Sequence, residues 1–462
     1  MEAALVTVYI LNHNYEDYLV EAIESVLNQT YKNLDIIIID NGSSDNSKDI
    51  LDKYRDTQEN IRIIEQENVG LVAANNIAIK KAKGKYIIRL DADDYFHDNA
   101  INILVETLEN FPKAVLAFPD FFEISITGSI LKRIQRFNFN DQVSLHNMPA
   151  HGACTLIKLD VLKSIGGYDT SFDRQDGYYL WMKLIVGGYE VTNVNKPLFY
   201  YRQHPSSLSK DLSKLYTIRS KVIKKIANSS NLKKNNPLGI IPTRGSIHNS
   251  DNFDFEKLDG KYVIDWTVQS VIESETLNHI ILSSPDKRIR DHIKKEYPQI
   301  EVRDRKEEQG FQNISLYETI KDILEDKNIA QYKFDTILVK TIDTPFLESH
   351  LIDQAINNIK IFNQLDSIVG VSESNEVYYQ HDGSSLNEIT NSDKHRLERE
   401  TLFKKIKGFN IVKSSFYQKY KTLTGGVMGH IDVDEKSAFK LDSIISLSLA
   451  DTLAKTIKNS NN

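Results

Sequence analysis

Residues 86–96 read YIIRLDADDYF, and this stretch decides the fold. A β-branched, apolar run stops abruptly at Asp91, with Asp93 and Asp94 just behind it. Runs of this kind are buried on both faces of a parallel sheet. In extended backbone alternate side chains point the same way, so Asp91 and Asp93 can converge on one hard cation. Three acids against a hydrophobic strand are costly unless a metal or hydrogen-bond donors balance them; the plain alternative is a capped turn. Working outward, LVTVYIL (5–11), DIIII (35–39) and IRII (61–64) repeat the strand pattern. Helical patterns lie between them: Leu19, Ile23, Val26 and Leu27 recur at helical spacing, SDNSKDILDKY opens on Ser44, and LVAANNIAIKKAK follows Gly70. Strand and helix alternating at this spacing predict right-handed βαβ units and an α/β domain.

The rest of the chain sets the limits. Its 462 residues carry 57 Lys+Arg against 64 Asp+Glu, a net charge of −7, which argues against a general nucleic-acid binder. That length is enough for two to four domains. A lone cysteine, Cys154, excludes structural disulfides and Cys-rich metal sites, and its apolar setting reads as packing. No apolar run is long enough to span a bilayer, so a cytoplasmic location is expected. Peripheral contact at the inner face of the membrane and homo-oligomerisation both stay open. The polar stretch NSSNLKKNN (228–236) reads as a linker between a domain over 1–227 and a second α/β domain over 237–462. In that second half PLGIIPTRG, HIILSS and DTILVKTIDTPF read as strands, and KYVIDWTVQSVIES reads as a helix.

Asp40 closes the second strand in IIIIDNGSSDNS. Ligands of open parallel sheets bind beyond the carboxyl ends of the strands, so Asp40 and Asn41 stand where a nucleotide lies. A strand-end Asx turn is the plain reading of the same residues.

Residues 5–210 together resemble the family 2 glycosyltransferases of the GT-A fold. The resemblance rests on VTVYILNHNYEDYLVEAIESVLNQTYKNLDIIIIDNGSSDNS, ENVGLVAANNIAIKKAKGKYIIRLDADD, HGACTLIKLDVLKSIGGYD, RQDGYYLWMKL and PLFYYRQHPSSLS. It implies a nucleoside-diphosphate sugar donor, a glycan acceptor, and Mn²⁺ or Mg²⁺ as cofactor. Asp40 and Asn41 would hold the base and ribose end. Asp91 and Asp93 match the DxD motif, with Asp93 nearest the metal and Asp91 on the nucleotide sugar. Asp176 in RQD stands at the position of the general base, although Gln175 replaces the usual Glu. His204 matches a position that contacts metal or diphosphate, and Arg202 would meet phosphate. Two plain alternatives remain: Asp176 as a helix N-cap and His204 as a structural histidine. Tyr178, Tyr179 and Trp181 are expected in a helix core.

The second half resembles the CMP-sugar synthetases, through IIPTRG, LDGKYVIDWTVQSV, IDTPFLESHLIDQAI and FKLDSIISLSLAD. Arg244 matches the triphosphate loop, and Asp343 and Asp442 match the two metal-binding acids. The loop lacks the further glycine and lysine, gains Asp251 and Asp254, and offers His248 only as a solvated histidine. The expected function is inverting, metal-dependent sugar transfer in bacterial surface polysaccharide synthesis. The attached domain is cytidylyltransferase-like, with its own activity in doubt. A bifunctional enzyme and a non-catalytic nucleotide-binding assembly protein are the alternatives.

Overall fold

A computed structural model describes residues 3–58, 60–135, 151–204, 211–229, 232, 235–245, 253–310, 315–374, 376, 378–381, 385–388 and 402–460. His248 and Asp251 lie outside them. The chain divides into two compact units, Met1–Asp211 with Glu376–Glu400, and Leu212–Asn375 with Thr401–Asn462.

The first unit runs β1 (Val6–Asn12), α1 (Glu16–Leu27), β2 (Leu34–Asn41), α2 (Ser47–Thr57), β3 (Ile61–Gln66), α3 (Leu71–Lys81), β4 (Tyr86–Asp91), β5 (Tyr95–Phe96) and α4 (Ala100–Asn110). It continues β6 (Ala114–Ile124), β7 (Ile130–Ile134), β8 (Leu156–Lys158), α5 (Leu159–Ser164), α6 (Asp176–Val186) and β9 (Glu190–Arg202). The sheet order is β3-β2-β1-β4-β8-β6-β9-β5, with β7 on β6. The predicted parallel half is present: β1 lies between β2 and β4, and the register sets Asn12 beside Asp40 and Leu11 beside Asp91. The polar strand ends therefore share one edge. Below them Val8, Ile10, Ile36, Ile38, Ile88 and Leu90 form part of a buried apolar core. Trp181 is buried in α6, as its spacing predicts, and Cys154 is a buried free thiol. Helix α2 begins at Ser47 rather than Ser44, because the Asp45 carboxylate takes the Ser47 N–H at 3.0 Å and turns the chain there.

The second unit runs α7 (Leu212–Ser229), β10 (Pro237–Pro242), β11 (Lys257–Leu258), β12 (Lys261–Tyr262), α8 (Val263–Ile272), β13 (His279–Ser284), α9 (Lys287–Glu296), β14 (Glu301–Asp304), α10 (Leu316–Glu325), α11 (Lys327–Ala330) and β15 (Thr336–Lys340). Then come α12 (Ser349–Ile361), β16 (Ser367–Ser374), β19 (Leu402–Lys413), α13 (Ser414–Tyr420), β20 (Met428–Asp432) and α14 (Ile444–Ser460), while the short pair β17 (Tyr379–His381) and β18 (Leu386–Glu388) lies in the segment grouped with the first unit. Its main sheet is β14-β13-β10-β15-β19-β16-β20, with β19 antiparallel to both neighbours. The division between units falls after Asp211, earlier than the 228–236 stretch. Helix α7 buries Leu215, Val222, Ile223 and Ile226, donates from Ser220 Oγ to the His350 carbonyl at 2.6 Å, and pairs Arg219 with Asp432. Its amphipathic face thus completes the second unit rather than the first.

Candidate active site

At the carboxyl edge of the first sheet, Asp40 is held in place by its neighbours. Asn12 Nδ2 donates to Asp40 Oδ1 at 2.8 Å, and Ser43 Oγ donates to the same oxygen at 2.5 Å. Asn41 faces inward. Its Oδ1 accepts from Gln66 Nε2 at 2.9 Å and from the Val69 N–H at 3.1 Å, and its Nδ2 donates to Asn68 at 3.1 Å. The Asn41 amide therefore pins the turn ahead of α3, and its side chain is committed within the protein.

The turn after β4 carries the acids. Asp91 closes the strand and Asp94 N–H donates back to the Asp91 carbonyl at 3.0 Å. Strand β9 reaches this turn because Tyr95 and Phe96 pair with Tyr200 and Phe199, which delivers Arg202 and His204. His204 Nε2 stands 2.8 Å from Asp93 Oδ2, both side chains at most a tenth exposed. Tyr15 packs edge-on to the His204 ring at 5.7 Å. Asp94 Oδ1 accepts the Arg202 N–H at 2.8 Å, while Asp94 Oδ2 is buried with no hydrogen-bond partner among the described residues. Burial, reinforced by Asp93 and Asp91, pushes the Asp94 carboxyl well above its ordinary range.

Arg202 is placed otherwise than its sequence position suggested. Its Nε donates to the Asp93 carbonyl at 2.9 Å, its Nη1 to the Ile126 carbonyl at 3.1 Å, and its Nη2 to Glu21, with Tyr18 stacked on the guanidinium at 4.7 Å. These partners leave it a strut behind the acidic turn rather than a cation facing a phosphate.

Asp176 is the first residue of α6, and the cap position is Gln175, held at φ 59°. Asp176 does not cap the helix. Its Oδ2 accepts from Asn75 Nδ2 at 2.7 Å and from Arg89 Nη1 at 2.9 Å. Arg89 also forks onto Asp91, Nε to Oδ1 and Nη2 to Oδ2, both at 2.7 Å. In the sequence Arg89 reads as one residue of the strand YIIRL, and neither its burial nor its two acid partners is visible there.

The donor chemistry fits a divalent cation. Asp93 and His204 offer a carboxylate and an imidazole side by side, a mixed pair that suits Mn²⁺ better than the oxygen-seeking Mg²⁺, with further oxygens supplied from outside. Among the described residues no three or more ligating side chains cluster tightly enough to enclose an ion alone.

In the second unit Arg244 and Arg305 follow β10 and β14 at one edge of the sheet. Arg305 is 3% exposed, its Nε and Nη1 have no hydrogen-bond partner among the described residues, and Nη2 donates to the Gln309 carbonyl. Burial and the adjacent Arg244 lower the Arg305 guanidinium to about 10. Sequence reading found Arg244 and missed Arg305. Gly245, at φ 68°, lies so close to Asp286 that an added Cβ would stand 2.3 Å from the Asp286 Cβ. Asp254 is turned inward and accepts from Thr243 Oγ1 at 2.8 Å, so its charge is not in an open loop. Asp343 accepts from Thr341 Oγ1 and lies 3.7 Å from Lys407, and Asp442 is paired with Lys440. Each of these two acids thus has a lysine neighbour, Lys407 and Lys440, both on the solvent side.

Carboxylates and amides gather at the carboxyl edge of the parallel half of the sheet, the edge at which open α/β sheets take their ligands, and this defines the first unit as an α/β domain of that class. The sequence model of glycosyl transferase family 2 matches residues 7–166, and that of cytidylyltransferase matches residues 238–441. A UDP-Glc:α-D-GlcNAc-diphosphoundecaprenol β-1,3-glucosyltransferase of Escherichia coli is 33% identical over 231 residues, 48% of this chain and 86% of that protein. An uncharacterized glycosyltransferase of Methanocaldococcus jannaschii is 30% identical over 215 residues, 44% of this chain and 72% of that protein. The crystal structure of S. aureus TarS 1-349 with UDP-GlcNAc aligns at a TM-score of 0.42 and 15% identity, covering 50% of this chain and 68% of that one. The chain belongs to glycosyl transferase family 2. It is a glycosyltransferase of GT-A fold joined to a cytidylyltransferase-like domain, and among the described residues no helix is long and apolar enough to cross a membrane.

Proposed function

We propose that the first unit transfers a sugar from a nucleoside-diphosphate sugar to a glycan acceptor with inversion, in surface polysaccharide synthesis. One observation carries the reading: Asp176 presents a carboxylate whose Oδ2 accepts two hydrogen bonds, while among the described residues no hydrogen bond falls on Oδ1. The acceptor hydroxyl gives its proton to Oδ1 as its oxygen bonds to the anomeric carbon. The bond from that carbon to the diphosphate breaks, and its electron pair leaves with the nucleoside diphosphate. One base on the face opposite the leaving group gives inversion. Asp93 and His204 would hold the divalent ion, which when bound neutralises charge on the leaving diphosphate. Asp40 and Asp91 would orient the nucleotide sugar, while Asn41 and Arg202 shape the loops around it. UDP-glucose and a GlcNAc-diphospho-polyprenol, donor and acceptor of the E. coli relative, are the first pair to try. The full chain is screened with UDP-glucose, UDP-N-acetylglucosamine, GDP-mannose and dTDP-glucose for nucleoside-diphosphate release. Asp176→Asn should keep donor binding and cut transfer about 10²–10⁴-fold. Full turnover by that variant would remove the base assignment.

For the second unit we infer nucleotide binding without transfer. Arg305 beside Arg244, its Nε and Nη1 without a hydrogen-bond partner among the described residues, favours an anion, while Lys407 and Lys440 compete with a metal for Asp343 and Asp442. The full chain is incubated with CTP, Mg²⁺ and eight- and nine-carbon acidic sugars, and pyrophosphate is assayed. Release that depends on sugar and on Asp343 would make the protein bifunctional.

A further inference from the structure

We propose that Arg89 is a positioning residue of the transfer: one buried guanidinium, forked onto Asp91, reaches across to Asp176 and aims its open oxygen at the acceptor. The inference rests on reading Asp176 as the base. The fork, two 2.7 Å bonds from Nε and Nη2 to the two Asp91 oxygens, fixes the guanidinium plane. The remaining nitrogen, Nη1, then points at Asp176 Oδ2 at 2.9 Å. Asn75 Nδ2 meets the same oxygen at 2.7 Å, and the Asn75 amide is itself oriented by Tyr9, whose hydroxyl donates to its Oδ1 at 3.0 Å. Two donors from different elements, β4 and α3, thus define the rotation of one carboxylate. Both donors fall on Oδ2, so Oδ1 is the oxygen available to take a proton. The side chains of Arg89 and Asp176 are 7% and 8% exposed, so water does not replace either bond readily. A lysine cannot reproduce the arrangement, because a point charge on a flexible stem has no fixed plane to carry from one acid to the other.

Simple charge balance among buried acids would give Arg89 a different signature. It would lower stability and donor affinity, yet leave an effect on turnover independent of Asp176. The test is therefore a double-mutant cycle on kcat in the full chain, at saturating donor and acceptor. The donor is the nucleotide sugar that turns over fastest in the panel above. Arg89→Lys should lower kcat by about 10²-fold, the scale of a misplaced reacting group. Combined with Asp176→Asn, it should cost no more than about threefold beyond Asp176→Asn alone, because the two changes act through one group. Losses that multiply would overturn the proposal. Arg89→Ala gives a second arm: guanidine at millimolar concentration should restore turnover to it, and should not restore the Arg89→Ala/Asp176→Asn pair. Rescue of both, or of neither while melting curves show folded protein, would also overturn it. The two readings fail separately. If Asp176→Asn keeps full turnover, the base assignment falls; if Asp176→Asn is impaired while Arg89→Lys is not, only the role of Arg89 falls.

Discussion

Lys340, the last residue of β15, has no exposed surface, and its pH response can be worked out in advance. Its ammonium donates to the carbonyls of Thr341 and Thr344 at 2.6 and 2.8 Å and to Thr344 Oγ1 at 3.1 Å. Burial nonetheless lowers it from 10.5 to about 7. The unfolded chain therefore holds a proton that the folded chain has lost across that window, and stability rises with pH there. The cost is present in full below the folded value and is gone above the unfolded one. Integrating the linkage between pH 7 and pH 9 gives a gain of about 2 kcal/mol. Urea unfolding monitors it, in a Trp181→Phe background that leaves Trp266 as the only indole, so the signal belongs to the second unit. Lys340→Met keeps the stem and removes the charge, and its stability should lack this rise. Comparing the two proteins at each pH cancels the tyrosines and other lysines. Equal slopes would refute the reasoning.

Three further outcomes follow from the same geometry. Calorimetry of UDP on the full chain should show binding with Mn²⁺ and little in EDTA; equal affinity in both would remove the divalent ion from Asp93 and His204. Gly245→Ala should destabilise the second unit by about 2–3 kcal/mol, read from its urea midpoint, because φ 68° and the 2.3 Å approach to Asp286 both oppose a methyl group. Arg305→Gln should move two quantities in opposite directions. The melting temperature should rise by a few degrees, on the order of 1 kcal/mol, as an unpaired buried charge is removed, while CTP affinity falls about tenfold or more.

The sequence made the strands legible because burial on both faces leaves an unbroken β-branched run, as in DIIII at β2 and YIIRL at β4. Their polar ends, Asp40, Asp91 and Asp93, were legible for the same reason: a run that stops in acids announces an edge. Arg89 was hidden inside such a run, since nothing local shows that a cation in a strand faces two carboxylates, one of them 87 positions away. The direction of Asn41 and Arg202 was equally invisible, because both are decided by partners on other elements: Gln66 and Val69 for one, Glu21 and Ile126 for the other. Helix α7 could be read as amphipathic, but not for which core its apolar face was meant. In the second unit a lone Arg after β14 gave no sign that it would be buried beside Arg244.

The place of β9 in the first sheet has a consequence for biosynthesis. Among the described residues strand β5 has no strand partner earlier in the chain; its ladder partners, Phe199 and Tyr200, are made about a hundred positions later. Until then β1 to β4 can assemble on the ribosome, and the loop bearing Asp93 and Asp94 is held only by its bonds to β1 and α1, Ala92 N–H to the Leu11 carbonyl and Phe96 N–H to Ser25 Oγ. A nascent chain stalled before β9 should thus show a protease-sensitive acidic loop on an already protected parallel core. If Asp93 and His204 hold a divalent ion as proposed, its full affinity should appear only once His204 has emerged, which would make metal loading a late step.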